Sequence, residues 1–370
     1  MSATYELWLL NHANGSPIQL VTDYSAFAYA KVVNGIGAWS MSLPSSFDIK
    51  QIQRDTRIAV HRRLPDTARV LDFVGLVRYI EKAQRGNSIY YTIAGPDLND
   101  ILRRRIIPYG TSSTTYSKKA TYADNMMKAL VTQQLGASAG TNRAITSYGF
   151  SVEANESLCT SVTVNAAWKN LYEVLIEIAN SSQSTPATAA YFGIVPLATG
   201  WTCQFRTNKG QWGVDRRYPT GSGGVCILSL DFANIGEITR NWNYREEVDY
   251  VWCGYGAGSG TAKYSRQASD SARITQSPFN QCEAFITSNS TGYSTVMSVA
   301  NAAVRAGKPR QLFSASIINT ANAVYGREFG FGDYVTAVFQ GESVNCRVNA
   351  VEIKLTDKDE DVSIRLSEEW

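Results

Sequence analysis

The carboxylates near the end of the chain are the first candidates for chemistry, because they nearly reproduce a calcium-binding loop. Asp357, Asp359 and Asp361 alternate along the chain, and Glu368 follows the first of them by eleven positions, as in an EF-hand. The sixth position of that loop requires glycine for a sharp turn, whereas Val362 stands there and begins an alternating apolar run. The pattern favours a solvated hairpin tip over a cation site.

A second acidic group has the residue types of a general acid and base. Glycoside hydrolysis needs two carboxylates a few ångströms apart. Glu247 and Asp249 share one face if their segment is an extended strand, and Glu246 lies beside them. Charges clustered on a strand usually face solvent. We interpret these three as surface residues, and the sequence indicates no enzyme.

Histidine and cysteine offer little material for catalysis. His12 and His61 are the two histidines, which argues against a Ser-His-Asp triad or a His-rich metal site. His12 is predicted in a turn and His61 at a strand end, and histidines at such positions are typically surface or interface residues. The six cysteines form no C-x-x-C pair and are interpreted as reduced apolar residues of a protein assembled in a cytosol-like compartment: Cys159, Cys203, Cys226, Cys253, Cys282 and Cys346.

Two further motifs are candidates for phosphate binding. Residues 254–260 are rich in glycine but do not match G-x-G-x-x-G, and no helix follows them, so a flexible loop is favoured. Arg103, Arg104 and Arg105, with Tyr109 nearby, favour a helix end neutralised by cations or a salt-bridged subunit contact over a nucleic-acid site. The whole chain has 35 basic and 32 acidic residues, too slight an excess to indicate a nucleic-acid partner.

The composition is that of a folded protein with more than one domain. The chain has 370 residues, of which 44% are hydrophobic and 18% charged, enough for two or three domains with substantial cores. The first ten residues lack the pattern of a signal peptide, and no segment approaches the apolar length of a membrane span. The sequence therefore predicts neither secretion by a signal peptide nor a membrane-spanning segment.

The first 96 residues have the alternation of β-strands. Trp39, Met41 and Leu43 alternate with serine residues until Pro44 ends the run. Apolar residues alternate again on both sides of a polar break at residues 84–88. We predict an all-β unit here, a curved sheet or a barrel.

Helical spacing follows, in a region predicted to be mixed α and β. We expect helices over residues 97–107, 121–135 and 166–180. Asp97 is a candidate cap for the first, and Gly136 stops the second. The third has Asn165 as its predicted cap and Trp168 on its predicted core face.

The last third returns to β-periodicity around one more helix. A helix over residues 294–306 is predicted to end at Gly307, with Pro309 beyond it, which is the usual order of stop signals. Strands are predicted over residues 225–230, 235–256, 283–287, 312–318, 334–339, 344–355 and 362–366.

The two ends of the chain carry a similar hairpin pattern. Val77 and Tyr79 lead through a charged break into a run that begins at Ile89. Val351 leads through an acidic break into a run that begins at Val362, at almost the same spacing. Sequence identity between the two is negligible, so the pattern is consistent either with coincidence among β-hairpins or with two related β units.

Six short motifs also follow one another in a specific order. They are Val33-Asn34-Gly35-Ile36-Gly37-Ala38-Trp39-Ser40-Met41-Ser42-Leu43-Pro44, Asp55-Thr56-Arg57-Ile58-Ala59-Val60-His61-Arg62, Gly75-Leu76-Val77-Arg78-Tyr79-Ile80, Gly95-Pro96-Asp97-Leu98 followed by Arg104-Arg105, Gly213-Val214-Asp215-Arg216, and Gly332-Asp333-Tyr334-Val335. In this order they resemble the tail-hub family, the tail-tip or baseplate-hub-like proteins of long-tailed bacteriophages. The motifs are turns and core strands, so the specificity lies in their order and spacing.

The resemblance implies an α+β, β-rich fold with two tail-tube-like β-barrel domains, α/β insert domains and a ring-forming trimer. The first barrel would comprise residues 1–96, and an α/β insert residues 97–224. Residues 225–256 and 310–370 would form the second barrel, and residues 257–309 a small α/β insert.

The resemblance also implies a structural function without catalytic residues, cofactors or metals. The protein would be the hub at the distal end of a phage tail tube, where it adapts the sixfold tube to a threefold tip and forms part of the DNA exit channel. Its partners would be two further copies of itself in a homotrimer, tail-tube or distal tail proteins, tip, fibre or plug proteins, and genome DNA that passes without sequence-specific binding. It would be assembled in the host cytoplasm and reside in the virion, at the tail tip.

Two other functions remain open from the sequence. The 20 Tyr, 8 Trp and 13 Phe residues suit a receptor-binding or carbohydrate-binding tail protein, although Trp39 and Trp168 fall on predicted core faces and aromatic residues are also enriched at protein interfaces. A tail-associated hydrolase is the third interpretation. Its activity would have to arise from the hub-like region, since the sequence ends at Trp370 without a hydrolase-like segment.

Overall fold

The computed structural model describes most of the chain. It covers residues 3–65, 67–86, 88–108, 119–140, 142–164, 166–183, 186–255, 264–288, 293–309, 311–318, 320, 322–356 and 359–368. Predicted features outside these residues include Tyr109, Asn165, Asp357 and most of the glycine-rich loop.

Strands predominate in the described part of the chain and are numbered in chain order. They are β1 (Thr4–Leu10), β2 (Pro17–Val21), β3 (Ala26–Val32), β4 (Ala38–Pro44), β5 (Arg57–Arg63), β6 (Val70–Leu76), β7 (Tyr79–Arg85), β8 (Ser88–Pro96), β9 (Lys119–Tyr122), β10 (Phe150–Val152), β11 (Ser161–Val164), β12 (Ala190–Pro196), β13 (Cys203–Lys209), β14 (Ile227–Ser229), β15 (Ile235–Trp242), β16 (Tyr250–Tyr255), β17 (Tyr264–Ser269), β18 (Glu283–Ser288), β19 (Gln311–Ile317), β20 (Tyr334–Phe339), β21 (Glu342–Thr356) and β22 (Asp359–Glu368).

The helices are fewer and lie mostly in the middle of the chain. They are α1 (Asp100–Arg103), α2 (Ala123–Leu135), α3 (Leu171–Ser182), α4 (Ser271–Ile274) and α5 (Tyr293–Ala306), with single 3-10 turns at Ile49–Gln51, Thr146–Tyr148 and Pro186–Thr188. No helix among the described residues is both long enough and apolar enough to cross a membrane.

Strands from both ends of the chain join in one antiparallel sheet, which we call the main sheet. Its order is β15-β19-β22-β21-β3-β4-β8-β7, and β20 pairs with β21 beside this path and with β14 in parallel. The two ends of the chain meet where β21 pairs with β3, with Lys354 opposite Ala28 and Glu352 opposite Ala30. The sheet thus links residues more than three hundred positions apart.

The resemblance implies two β-barrel domains, whereas the described strands form open sheets. No closed barrel is present among them. The physical reason lies in the joint between β21 and β3: each strand uses a ladder of backbone hydrogen bonds to pair with the other end of the chain. Those edges are therefore not available to close a barrel at either end.

A smaller sheet, β2-β1-β5-β6, lies between the main sheet and the helices of the middle region. One of its faces contributes Leu7, Ile58 and Phe73 to the same apolar core as residues of the main sheet. Its other face contributes Ala59 and Val74 to a second core. Because both faces are covered, β5 is buried over almost its whole length.

The first core contains residues from both ends of the chain. Its members on the main sheet alternate along their strands, as half-buried strands require. They include Phe27, Tyr29, Trp39, Met41, Leu43, Ile93, Phe313, Ala315, Val351, Ile353, Leu355, Val362, Ile364 and Leu366.

The second core belongs to the middle region, where α2 and α3 pack on the sheet β10-β13-β12 and on the antiparallel pair of β9 and β11. The predicted stop of α2 at Gly136 is confirmed. The first predicted helix is much shorter than expected: Asp97 accepts a hydrogen bond from the backbone of Asn99, and α1 covers only Asp100–Arg103.

The start of α3 and the position of Trp168 differ from the prediction. The helix begins at Leu171, and its cap is Asn170, whose side chain accepts a hydrogen bond from the Tyr172 N–H. Trp168 is 69% exposed and has a φ of 59°, so the predicted core position is wrong. The reason is backbone pairing of this segment with residues 105–107, in which the Trp168 N–H donates to the carbonyl of Ile107.

A third, smaller core lies under the sheet β17-β16-β18. There α5 packs against β16 and β17 through Val251, Cys253, Val296 and Ala300. The helix covers Tyr293–Ala306, one residue longer than predicted, and Gly307 follows it as expected.

A buried ion pair connects the smaller sheet to the main sheet. The Arg62 Nη2 of β5 lies 2.7 Å from the Glu360 Oε1 of β22, and both side chains are 2% exposed. The Tyr5 hydroxyl donates to that carboxylate oxygen at 2.6 Å, and the Arg62 Nη1 donates to the Tyr325 carbonyl at 2.8 Å. Burial, followed by the nearby Glu360 charge, raises the pKa of Tyr5 well above its usual value.

A second polar cluster lies beside the first. Asp72 of β6 accepts hydrogen bonds from the Tyr29 hydroxyl at 2.5 Å and from the Lys31 Nζ at 2.7 Å. The Tyr325 hydroxyl donates to the same carboxylate at 3.3 Å. Burial disfavours the charged carboxylate, but Lys31 and Tyr29 hold the pKa of Asp72 below its usual value. Tyr325 thus belongs to both clusters.

We expect Arg62→Met to lower the free energy of unfolding by about 3–5 kcal/mol, because it leaves the Glu360 carboxylate buried without its partner. Urea denaturation measures the change. Arg69→Met is the matched control, since Arg69 and Glu6 form a pair whose side chains are 50% and 44% exposed, and its loss should cost about 1 kcal/mol or less. Equal losses in the two variants would contradict the structural role of the buried pair.

Candidate functional site

The outward face of the main sheet, here called the open face, carries mainly small side chains. In the strands that form it, every second residue points away from the core. The outward small residues are Ala26, Ala28, Ala30, Ala38, Ser40, Ser42, Thr92, Ala94, Ser314, Ser316, Ala350 and Ser363. Side chains this short project little from the sheet, and a recess of about 470 Å³ lies where β15, β19, β22, β21 and β3 line the face.

Charged side chains are interspersed on the open face, and most are acidic. Along the paired stretches of β7, β15, β21 and β22, the bases at outward positions are Arg85, Lys354 and Arg365, together with Arg347, which contacts Tyr191 and Tyr334. The acids on the same stretches are Glu81, Glu237, Glu352, Asp359 and Asp361. Lys354 lies 3.2 Å from Glu352, so it partly offsets one of these charges.

The acidic residues that resemble a calcium loop are part of the open face. Asp359 and Asp361 belong to the start of β22 and are exposed, and Val362 is the first buried residue of that strand. Asp357 lies outside the described residues. In the part of the chain that the structure describes, no group of three His, Cys, Asp or Glu residues is placed to hold a metal ion.

Two of the three carboxylates with the residue types of an acid and base are not on the surface, contrary to the sequence-based interpretation. Glu247 and Asp249 precede β16 and are buried, whereas Glu246 is exposed. The Glu247 Oε1 lies 3.3 Å from the Arg273 Nη1, and Asp249 accepts a hydrogen bond from the Cys282 N–H at 2.9 Å. Both carboxylates therefore hold the loops around α4.

The basic run at the end of α1 is engaged with acidic side chains. Arg103 and Arg104 both pair with Asp100, and Arg104 also pairs with Asp55 at 2.9 Å. The run therefore lies at a helix end, one of the two interpretations that the sequence favoured, and its ion pairs are with acids of the same chain. Among the described residues the Arg105 Nε has no hydrogen-bond partner, and burial lowers the pKa of this guanidinium.

The histidines and cysteines form no common site among the described residues. His61 lies on β5, where burial lowers the pKa of its imidazole, and His12 lies in the turn after β1. None of the six cysteines forms a disulfide, and all but Cys282 are buried.

An aromatic patch lies on the exposed face of β16 and β18, and sequence reasoning missed it. Trp252 is 37% exposed and Phe285, its partner in the register, is 65% exposed. Tyr250 contacts the Trp252 ring at 5.3 Å between centroids. The sequence offered the alternation of this strand as a signal. Trp39, by contrast, is buried as predicted, and its Nε1 donates to the Leu76 carbonyl.

The structure brings the first and fourth sequence motifs together, where the main sheet meets the middle region. Asn34 adopts a left-handed φ of 52°, and its side chain accepts a hydrogen bond from the Phe192 N–H. Asn99 donates to the Gly35 carbonyl and accepts from the Ile194 N–H, both at 2.7 Å. The two turns thus hold β12 against the main sheet.

The last two motifs also meet, and Asp333 joins them. Its carboxylate accepts hydrogen bonds from the Val214 N–H at 2.6 Å and from the Arg216 Nε at 2.8 Å. The Gly330 N–H donates to it at 2.7 Å. A side chain at Gly213 would collide with Asp333, which explains the glycine at that position.

The two halves of the main sheet have the same internal arrangement. The front half-sheet has the order β3-β4-β8-β7, and the back half-sheet the order β15-β19-β22-β21. In each, the first strand in the chain pairs with the second, the second with the fourth, and the fourth with the third. The hairpins also match: Tyr79 pairs with Ala94 and Arg85 with Ser88, as Ala350 pairs with Arg365 and Thr356 with Asp359. The two hairpins therefore share one register, but the match expected from the sequence is displaced by two residues: Ser88 corresponds to Asp359, so Val362 corresponds to Tyr91 and not to Ile89.

Comparisons with known proteins identify similar sequences and folds. The sequence profile of the family described as Siphovirus ReqiPepy6 Gp37-like protein matches residues 6–366. No curated protein matches the sequence.

Solved structures of tail proteins share the fold over nearly the whole chain. A tail protein from Neisseria meningitidis MC58 is 12% identical with a TM-score of 0.58, and the alignment covers 98% of this chain and 96% of that one. The 43 kDa tail protein of prophage MuSo2 from Shewanella oneidensis is 12% identical with a TM-score of 0.60, over 99% and 98% of the two chains.

A third structure extends the similarity to a secretion system. The E. coli c3393 protein, described as a type VI secretion component with structural similarity to the T4 bacteriophage tail proteins gp27 and gp5, is 6% identical. Its TM-score is 0.51, over 98% of this chain and 76% of that one. At identities this low, these three structural comparisons establish a shared fold and nothing more.

We expect Asp333→Asn to lower the free energy of unfolding by about 2–3 kcal/mol, because an amide cannot accept all three hydrogen bonds and leaves Arg216 without a charged partner. Asp215→Asn is the control: Asp215 pairs with Arg217, and their side chains are 22% and 28% exposed. We expect a loss of about 1 kcal/mol or less there. A smaller effect at Asp333 than at Asp215 in chemical denaturation would refute this assignment.

Proposed function

Because this chain belongs to the Siphovirus ReqiPepy6 Gp37-like family of phage tail proteins, we propose that it is the structural hub at the distal end of the tail tube. In this function three copies form a ring that adapts a sixfold tube to a threefold tip and encloses part of the DNA exit channel. The protein acts through its surfaces and catalyses no reaction.

The repeat within the main sheet is the observation that carries this proposal. Each copy has two half-sheets with the same strand order and the same hairpin register. Three copies in a ring would therefore present six similar half-sheets to a hexameric tube. The three middle regions, which lie outside the repeated half-sheets, would keep the threefold symmetry on the other side.

The open face suits the wall of a channel for DNA. Its small side chains project little into the proposed channel, and its acidic side chains repel the phosphate backbone of DNA. A basic wall would instead release counterions and hold the duplex. The proposed channel therefore lets the genome pass without sequence-specific binding.

The ends of the main sheet support assembly. Among the described residues, β7 pairs only with β8, and β15 pairs only with β19. Unpaired strand edges promote aggregation unless they are covered, and closure into a ring covers them. The proposed partners are two further copies of the chain, the tail tube or a distal tail protein on one side, and tip, fibre or plug proteins on the other, in the virion.

The buried carboxylates support a non-enzymatic function. Glu247 and Asp249, the strongest acid and base candidates from the sequence, bind Arg273 and the backbone of the neighbouring loop. The similarity of the E. coli c3393 protein to gp27 and gp5 also fits a hub, although that comparison concerns the fold alone.

A receptor-binding or carbohydrate-binding tail protein is the second candidate function, and the aromatic patch favours it. Sugar rings stack on exposed aromatic faces, and Trp252 and Phe285 are exposed side by side. Glycan-array binding that is lost in Trp252→Ala and kept in Trp168→Ala, an exposed tryptophan elsewhere, would favour this candidate.

We expect the purified chain to form rings of three copies, with three times the 40.7 kDa mass of one chain. Light scattering measures the mass, and electron microscopy shows whether the particle is a ring with a central opening. A strictly monomeric species at high concentration, with no ring in virions, would contradict the proposal.

We also expect Glu352→Lys combined with Asp361→Lys to make the ring bind double-stranded DNA, with an affinity that falls steeply as salt rises. Both residues are outward on the open face, on strands that are not at its edges. Glu173→Lys combined with Glu246→Lys replaces two exposed acids outside this face, raises the net charge by the same amount and is the control. Equal DNA binding by the wild-type ring and the lysine variant would refute the assignment of this face as the channel wall.

A further inference from the structure

The joint between β21 and β3 shows how one half-sheet pairs with the next. Because the half-sheets are equivalent, β21 of the back half corresponds to β7 of the front half, and β3 corresponds to β15. The joint inside the chain therefore has a counterpart: β7, the last strand of the front half-sheet, against β15 of another copy.

The strand registers give the equivalence residue by residue. The hairpins align Lys354 with Ala83 and Glu352 with Glu81. On the other side of the joint, Ala28 pairs with Ser40, which pairs with Ala94. In the back half-sheet, Thr239 pairs with Ser314, which pairs with Arg365, and Arg365 is the equivalent of Ala94. Thr239 therefore corresponds to Ala28, and Asn241 corresponds to Ala30.

We propose that β7 of one copy pairs antiparallel with β15 of a second copy of this chain, with Ala83 opposite Thr239 and Glu81 opposite Asn241. This register is that of the pairing between β21 and β3 within the chain, applied to the equivalent strands β7 and β15. In the pairing within the chain, Lys354 lies opposite Ala28 and Glu352 opposite Ala30. The inference rests on the proposed ring, and adds which strands form the interface and in which register.

Strand direction permits this pairing. All neighbours along the main sheet are antiparallel, and the path contains eight strands, so the two edge strands run in opposite directions. A second copy can therefore continue the antiparallel alternation, and three copies can close it. An odd number of strands would place parallel edges together.

Exposure along the edges supports the same register. Ile80 is 45% exposed and Trp242 is 48% exposed, although both belong to the core side of the sheet. The proposed register places them opposite each other. Val351, the internal counterpart of Ile80, is 1% exposed because β3 covers it. The second copy would cover Ile80 in the same way.

Charges along the edges are compatible with the register. Arg85 and Glu237, at one end of the joint, are opposite in sign and would be opposite in position. Lys82 and Arg240 would also be opposite, which places two cations together. Arg240 already pairs with Glu342 at 2.9 Å, and Lys82 lies over the Tyr91 ring, so each cation has a partner within its own chain.

Cysteine cross-linking tests the register. Directly opposite residues in an antiparallel pair have Cα atoms about 4.5–5.5 Å apart, within reach of a disulfide, whereas diagonal neighbours are about 7–8 Å apart and beyond it. Glu81→Cys combined with Asn241→Cys should form disulfide-linked dimers and trimers on mild oxidation. Glu81→Cys combined with Thr239→Cys, displaced by two residues on the same face, should not. The unmodified chain gives the background from its own cysteines.

Hydrogen exchange on the unmodified chain provides a second measurement that does not depend on folding of the variants. Dilution into monomers and concentration into rings should change the protection of the amides in β7 and β15, with slower exchange in the ring. Cross-linking by the displaced pair, or unchanged exchange in rings seen by electron microscopy, would overturn the edge pairing while the ring itself stands. Absence of any ring would overturn the proposed function and this inference together.

Discussion

The antiparallel pairing of β21 with β3 is the constraint on which the rest of the structure depends. It brings the two ends of the chain into one sheet and orients Phe27 and Tyr29 with Val351, Ile353 and Leu355 toward a single core. A slip of one residue would turn this whole set toward solvent and expose the apolar side chains. The register is therefore fixed by burial, and it also determines that small and acidic residues occupy the opposite face.

Polar contacts fix how the smaller sheet is oriented on the main sheet across that apolar core. The Arg62 and Glu360 pair and the Asp72 cluster both connect the smaller sheet to the main sheet, and Tyr325 contacts each of them. Buried charges stabilise a structure only when their partners are held in place, so such clusters discriminate against other packings of the two sheets. Asp333 acts similarly between residues 213–216 and the start of β20.

Solved tail proteins share this fold at about 12% identity. Turns, alternation and joints can be built from many side chains, provided that each strand keeps its apolar face. The residues that meet across these joints come from short motifs that are individually weak. Their structural role is to bring turns from distant parts of the chain into contact. Asn99, for example, hydrogen-bonds to both Gly35 and Ile194.

Local patterns in the sequence determined much of the secondary structure. Alternation around Trp39 predicted β4, and glycine stops predicted the ends of α2 and α5. Tertiary contacts decided the rest. Trp168 is exposed because its segment pairs with residues 105–107, and Glu247 and Asp249 are buried because Arg273 and Cys282 provide partners. The union of both ends in one open sheet, instead of two barrels, came from hydrogen bonds between strands more than three hundred residues apart, which no local pattern encodes.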